Sequence, residues 1–430
     1  MSGVDCPLRR VFTLRRPFDR YRPYTTPTQL AELRERARNL RGRKIIDLSL
    51  SPEAGSAASM LHSLQPAFQG LGLNAHWYSL CPDPSFFVVA RKLHDALLGG
   101  LNRLTEADRK LYQQINDAAA REVDRLDAEI LVVHDVELAG VASALANRPR
   151  ALIWRSHGDL SEPGPEALGF VEPLLKSYTL LVLETPACRL PSIARGRQRF
   201  VAGAIDPLAL KNQIISRDAA RQRLTRLGIA ADRPLMCQVA RFDPWKNPLG
   251  VVDAYRRARA DVPGLQLALV GAIATTEANV AEQTFEQVKS AVGDDPNVFL
   301  FGEVGAVTPT VNQLDVDAFQ SGADVAVLLA CREGWGAALT EAMWKYRPVV
   351  ATDRPGPRAQ IQDGKNGFLV DGADAGAERV VQLLRDPALA ESLGQHAHET
   401  VKECFLLPRL VDDYLGLFEE ALAERAKRVA

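Results

Sequence analysis

Short apolar runs recur along this chain with helical text between them, and the whole series occurs twice. The first series holds KIIDLSL (44–50), NAHWYSL (74–80), EILVVHDV (129–136), RALIWRSHG (150–158), TLLVLET (179–185) and RFVAGAI (199–205). The second holds PLMCQVARF (234–242), LQLALVGAI (265–273), NVFLFGEV (297–304), DVAVLLA (324–330), PVVATD (348–353) and GFLVDG (367–372). These runs are nearly continuous rather than alternating, as strands buried on both faces require. Strands separated by helices pair in parallel, with the helices covering both faces. The expected fold class is therefore α/β, with two tandem doubly wound, Rossmann-like domains. At 430 residues the chain is too long for one ordinary core and suits two of about 200 residues each.

Helical text fills the gaps. TPTQLAELRERARNL (26–40) has a Thr-Pro start, AASMLHSLQPAFQGLG follows the turn SPEAGS (51–56), and a long region from Phe86 to about Leu126 breaks near Gly99-Gly100. In the second half NPLGVVDAYRRAR (247–259), FEQVKSAV (285–292) and DVDAFQSGA (315–323) read as helices, and PRLVDDYLGLFEEAL (408–422) as a final amphipathic helix. The boundary falls near 206–232. The expected divisions are an arm and helix over 1–40, one domain over 41–206, a second over 207–403, and a last helix over 404–430.

A formal net charge of −1 offers no global field for nucleic acid or a membrane surface. LRRVFTLRRPFDRYR (8–22) is a local basic exception, read as an irregular arm lying on the body. The six cysteines stand at 6, 81, 188, 237, 331 and 404, with no zinc-ligand spacing. No secretory signal or membrane-length apolar run is visible, so the expected setting is cytoplasmic, without integral membrane contact.

In open parallel sheets ligands bind at the carboxyl ends of the strands. Polar residues collect there in this chain: SPEAGS with Gly55, then His134 and Asp135, then His157 and Asp159, then Arg241 and Lys246 in RFDPWK, then Glu333 in CREGWG. Arg241 and Lys246, with Pro244 between them, suit a diphosphate clamp. In CREGWGAALTEAMW (331–344) an acid, Glu333, precedes the turn Gly334-Trp335-Gly336, and a helix-forming run carries a second acid, Glu341. A glycine turn opening a helix can offer backbone N–H groups to an anion. Each of these residues also has a plain structural use. Arg241 could pair with a nearby carboxylate, Lys246 could be a solvated surface lysine, and His134 could be structural, oriented by Asp135.

VARFDPWK (239–246), REGWGAALTEAMW (332–344) and QIQDGKNGFLV (360–370) together resemble the retaining glycosyltransferases of GT-B fold, family 4. PDPSFFVVARKLHDALLG (82–99), LVVHDVELAG (131–140) and LIWRSHGDLS (152–161) are similar to its trehalose-synthase branch, which transfers glucose from a nucleotide sugar onto glucose. The resemblance runs from about residue 30 to the C-terminus. It implies two domains facing across a cleft that closes to exclude water. The acceptor would lie on the N-terminal side and the nucleotide sugar on the C-terminal side, with the last helix packing back toward the first domain. It implies that Glu333 bonds the donor sugar, that Glu341 bonds the ribose, and that Gly334, Trp335 and Gly336 present backbone N–H groups. Arg241 and Lys246 match the diphosphate pair and His157 the histidine near the reacting sugar. The implied catalytic set is His157, Arg241, Lys246 and Glu333, with Gly55, Asp135 and Asp159 assigned to the acceptor. The implied substrates are a donor such as UDP-, ADP- or GDP-glucose and a sugar acceptor. No cofactor, metal or nucleic acid is expected, and a homodimer is.

Two stretches depart from that branch. SPEAGSAAS has only Gly55 where the branch is glycine-rich, with Ala54, Ser56 and Ala57 adding Cβ atoms. DRPGPRAQI (353–361) carries Pro355, Pro357 and Arg358 where the branch has a freer glycine pair. Besides trehalose synthesis, two readings stay open: a trehalose phosphorylase-type enzyme, and a catalytically degenerate protein that binds sugar nucleotide.

Overall fold

A computed structural model describes residues 7–53, 55–271, 278–302 and 313–429. The chain divides into two units. The first runs to Gly203 and resumes at Leu407, and the second is Ala204–Leu406. Ala54 and the ends of two expected strands, residues 272–273 and 303–304, lie outside the described residues.

The first unit is built on a seven-stranded sheet of order β1-β3-β2-β4-β5-β6-β7. Its strands are β1 (Leu8–Val11), β2 (Lys44–Ser49), β3 (Asn74–Leu80), β4 (Ile130–His134), β5 (Ala151–Arg155), β6 (Leu180–Leu183) and β7 (Gln198–Phe200). All pair in parallel except β1, which runs antiparallel to β3. Every residue of β4, β5 and β6 is buried, the two-sided cover that their apolar text demands.

The arginine-rich segment differs from the irregular arm expected. Its first residues form β1, satisfying the edge of β3 that would otherwise be open. The chain then runs close over the helix Gly55–Gly70, where Arg16 N donates to Pro66 O at 3.1 Å. A Cβ on Gly70 would lie 1.9 Å from Arg16 O, so the approach requires glycine there.

The helix Leu407–Val429 belongs to the first unit. Tyr414 and Phe418 pack on Phe68, with ring centroids 6.0 and 5.8 Å apart. Arg36 bonds Asp412 and Glu419 of the same helix.

The second unit is an all-parallel six-stranded sheet of order β10-β9-β8-β11-β12-β13. Its strands are β8 (Leu235–Val239), β9 (Gln266–Val270), β10 (Val298–Phe301), β11 (Val325–Leu328), β12 (Val349–Thr352) and β13 (Phe368–Val370). Each sheet reverses its strand order once. In the first unit the chain steps from β2 to β3 and then places β4 on the other side of β2. In the second it steps out along β8, β9 and β10 and then places β11 beside β8. Such reversals leave a crevice at the carboxyl ends of the flanking strands.

Candidate active site

In the second unit the reversal lies between β8 and β11. After β8 a short 3-10 turn, Pro244–Lys246, carries Lys246. Asp243 Oδ1 accepts from Trp245 N at 2.9 Å, and Lys246 O accepts from Gln238 Nε2 at 3.0 Å. Trp245 O accepts the Cys331 amide at 2.8 Å, tying this turn to the segment after β11. Asn247, at φ 50°, caps the following helix Pro248–Asp261 through Gly250 N at 3.1 Å. So held, Lys246 Nζ forms an ion pair with Glu333 Oε2, and Glu333 is buried. Arg241 NH2 stands 3.8 Å from Asp243 Oδ2, with a side chain 35% exposed. The clamp residues thus follow one strand end; Arg241 has a nearby carboxylate in Asp243, whereas Lys246 is not a solvated surface lysine but is paired with Glu333.

Gly336, at φ 89°, makes the left-handed turn into the helix Ala337–Trp344, whose first amides have no side-chain cap. A Cβ on Gly336 would approach Glu333 Cγ to 3.3 Å. Gly356 closes in from the short helix Pro355–Arg358. Its amide donates to Glu333 O at 3.1 Å, and a Cβ there would stand 2.8 Å from that oxygen and from the Gly334 carbonyl. Gln360 fastens the turn to the helix by accepting from Thr340 Oγ1 at 2.6 Å and donating to Trp335 O. DRPGPRAQI therefore supports the glycine turn directly. Trp335 is buried edge-on to Phe405, 4.9 Å between centroids, and its indole N–H has no acceptor among the described residues.

Glu341 belongs to a separate polar network. Its Oε1 meets Lys211 Nζ at 2.7 Å and its Oε2 accepts from Gln320 Nε2 at 3.1 Å. Lys345 donates to Gln320 Oε1 and Lys211 O, with Asp317 at 3.4 Å. Burial opposes ionisation of Glu341, but Lys211 and Lys345 outweigh it and hold the carboxyl below its usual range. Glu341 in turn raises Lys211, whereas burial lowers Lys345.

In the first unit a row of polar side chains crosses the carboxyl ends of β2, β4, β5 and β6. Asp47 Oδ1 lies 2.8 Å from His134 Nε2, and His134 Nδ1 lies 3.0 Å from His157 Nε2. His157 Nδ1 stands 3.4 Å from Glu184 Oε1, which also accepts from Arg155 NH2 at 2.9 Å. Gln65 donates to the second Asp47 oxygen at 2.6 Å. The His157 side chain is only 5% exposed. Burial lowers His134 despite the pull of Asp47, and Arg155 and His157 keep Glu184 below its usual range although burial works against them.

The sequence pairs His134 with its neighbour Asp135, but the structure pairs it with Asp47. Asp135 instead sits at φ 63°, a costly conformation for a non-glycine residue, held by three bonds. Its amide donates to Arg155 O, its carbonyl accepts from Trp154 Nε1, and its Oδ1 accepts the His157 amide, each at 2.8 Å. Asp159 is buried, with Oδ1 accepting from Ser161 N at 2.9 Å and Ser161 Oγ at 2.6 Å. Gly55 is exposed at φ 95° and opens its helix with no neighbour crowding it. Among the described residues no cluster of His, Cys, Asp or Glu could hold a metal ion, and no helix is long and apolar enough to cross a membrane.

Two family models match this chain: trehalose synthase, N-terminal domain, over residues 48–189, and glycosyl transferases group 1 over residues 221–400. The trehalose synthase of Rubrobacter xylanophilus is 35% identical over 407 residues, covering 94% of this chain and 96% of its own. The chain belongs to the trehalose synthase family. It is accordingly a glycosyl-transferring enzyme of GT-B fold class. The fold is also that of the UDP-forming α,α-trehalose-phosphate synthase of Burkholderia vietnamiensis, with TM-score 0.69, 15% identity, and 89% of this chain and 99% of that one covered. The trehalose phosphorylase of Grifola frondosa is 24% identical over 404 residues, covering 84% of this chain and 54% of its own.

In this trehalose synthase relative the sequence reading missed the partners of its candidates. Asp47, Gln65, Arg155 and Glu184 hold the two histidines, and Lys211, Gln320 and Gln360 hold Glu341 and the glycine turn. One signal was available: Asp47 is a lone acid inside an apolar strand, and a fully buried carboxylate needs a partner.

Proposed function

We propose that this enzyme transfers glucose from a nucleotide-glucose donor to glucose with retention of configuration, giving trehalose or a related α-glucoside. The carrying observation is the Lys246–Glu333 ion pair at the β8/β11 reversal, beside Arg241 and the uncapped first turn of Ala337–Trp344. The donor replaces this internal pair. Lys246 and Arg241 take the diphosphate oxygens, and Glu333 accepts from the sugar hydroxyls. Each charge-assisted bond of this kind contributes on the order of 1.5–3 kcal/mol. Amides of the Gly334-Trp335-Gly336 turn and of the helix start complete the anion site. A carboxylate has about four lone-pair sites, so with Lys211 and Gln320 bound Glu341 keeps two for the ribose hydroxyls.

In the transfer step the bond from the anomeric carbon to the diphosphate oxygen breaks. The acceptor oxygen bonds to that carbon on the same face, and its proton passes to the departing diphosphate oxygen. Arg241 and Lys246 stabilise the charge that builds there, and positioning does the rest. The step uses no metal or other cofactor. His157 lies by the donor sugar in this scheme, and Gly55, Asp135 and Asp159 are the acceptor-side groups. The trehalose synthase of Rubrobacter xylanophilus and the UDP-forming synthase of Burkholderia vietnamiensis, to which the chain is similar, support the reading.

The similarity to a trehalose phosphorylase favours one rival, in which phosphate takes the place of the nucleotide. Nucleotide release from UDP-, ADP- and GDP-glucose, with and without glucose, separates them, with products read by proton NMR. Acceptor-dependent release with an α,α-linked disaccharide is the expected outcome. Release of free glucose 1-phosphate from trehalose and phosphate, with no nucleotide required, would overturn it in favour of the phosphorylase. Tight binding of nucleotide sugar without turnover would mark a degenerate binding protein, with SPEAGS the first stretch to restore to glycines.

A further inference from the structure

The row Asp47–His134–His157–Glu184 allows its protons to be counted. Both outer ring nitrogens, His134 Nε2 and His157 Nδ1, face carboxylate oxygens, at 2.8 and 3.4 Å. An imidazole nitrogen facing a carboxylate must carry hydrogen, or two lone pairs meet. The inner contact, 3.0 Å between His134 Nδ1 and His157 Nε2, needs one hydrogen more. Three N–H groups are required, and two neutral imidazoles supply two. The carboxyls are not its source: the Arg155 guanidinium beside Glu184 favours the ionised form, and Asp47 receives the Gln65 amide as a donor on its second oxygen.

We infer that His134 and His157 share one extra proton and act as a single cation, with His134 the positioning residue that fixes His157 for transfer. This rests on the glycosyl-transfer reading for what His157 serves. The charges then match, since Asp47 and Glu184 face Arg155 and the shared proton. Other charged and titratable groups act along the row: Asp135 after β4 on His134, and, from the helix Leu407–Val429, Arg409 on Glu184 and Tyr414 near Asp47 and Glu184. Tyr414 is raised by burial and stays neutral. The 3.0 Å contact between His134 Nδ1 and His157 Nε2 is the path along which the proton passes from one ring to the other without either ring moving.

The shared proton pins His157 at both nitrogens while Asp135 holds its amide. Loss of that proton leaves a bare nitrogen against a carboxylate. The 3.4 Å contact to Glu184 is the longest in the row and yields first, which frees the His157 ring.

The test is imidazole nitrogen–proton NMR on the intact wild-type chain, labelled with nitrogen-15 and titrated through neutrality. Both rings should change together in one single-proton step, as a coupled pair does. Two independent steps would overturn the shared proton, whether or not the protein transfers glucose. The second arm is acceptor-dependent nucleotide release against pH for wild type and His134→Asn. The variant's basic limb should move by at least about one pH unit, a tenfold change in the protonated fraction. An unmoved limb would overturn the positioning role. A shared proton seen by NMR, with no transfer from any nucleotide sugar, would support the pair and sink the proposed function instead.

Discussion

Lys211 Nζ lies 2.7 Å from Glu341 Oε1, while Gln320 takes the other carboxylate oxygen. The acid proposed to receive the ribose is therefore ionised and fixed before any nucleotide arrives.

Replacing Lys211 by Met should weaken nucleoside diphosphate binding about tenfold, because Glu341 loses the cation that keeps it charged. Glu341→Gln should cost a similar factor, and the double variant little more than either alone, since both act on one group. Titration calorimetry with each nucleoside diphosphate reads all three. Full additivity would show that Lys211 touches the ligand independently.

Lys246→Ala removes the cation that pairs with the buried Glu333. Removing one partner of such a pair costs about 3–5 kcal/mol where it is deeply buried, and less here because Lys246 is partly exposed. We expect a lower melting temperature and a loss of transfer of roughly a hundredfold or more, the scale seen when one stabilising donor is removed. Lys246→Arg keeps the charge and should restore melting before it restores rate.

Gly356→Ala pushes a methyl group into the Glu333 and Gly334 carbonyls at 2.8 Å. The glycine turn must shift, at about 1–3 kcal/mol. Gly55→Ala, at φ 95° but with open space around it, should cost only its backbone strain. Thermal melts and donor affinity measured together distinguish them: the first variant loses both, the second mainly stability.

Acid should destabilise the first unit. Burial holds His134 below its ordinary 6.5, so as pH falls through that value the unfolded chain takes a proton that the folded chain refuses. Stability then declines by up to about 1.4 kcal/mol per pH unit for each such proton. Glu184 adds to this in more acidic solution. Its stabilisation is present above 4.5 and is lost as pH falls through its lowered folded value. Denaturant melts across this range should show the slope, and His134→Asn should remove the part just below neutrality.

The strands were legible because burial on both faces writes them as unbroken apolar text. The residues just after them were legible because parallel sheets gather ligands at that edge. Partnership was not. Asp47 lies far from His134 in sequence, and they meet only because β4 is placed beside β2, on the far side from β3. Nothing local records that choice. The same holds for Lys211 and Glu341, which approach from a 3-10 turn and a helix well separated along the chain. The arm misled for another reason: Arg9 and Arg10 are exposed on β1, while Leu8 and Val11 at its two ends are half-buried. The helices Pro165–Leu175, Ala373–Arg385 and Pro387–Cys404 carried no separate expectation, since loop-like Pro and Gly residues open or interrupt their text.

Because the first unit is left at Gly203 and re-entered at Leu407, its synthesis on a ribosome is interrupted by the whole of the second. Ala204–Leu406 can emerge and fold while the earlier part of the chain still lacks the helix that covers Phe68. The half made first is thus the half finished last. A nascent chain stalled before Leu407 would expose that aromatic seat to chaperones and proteases.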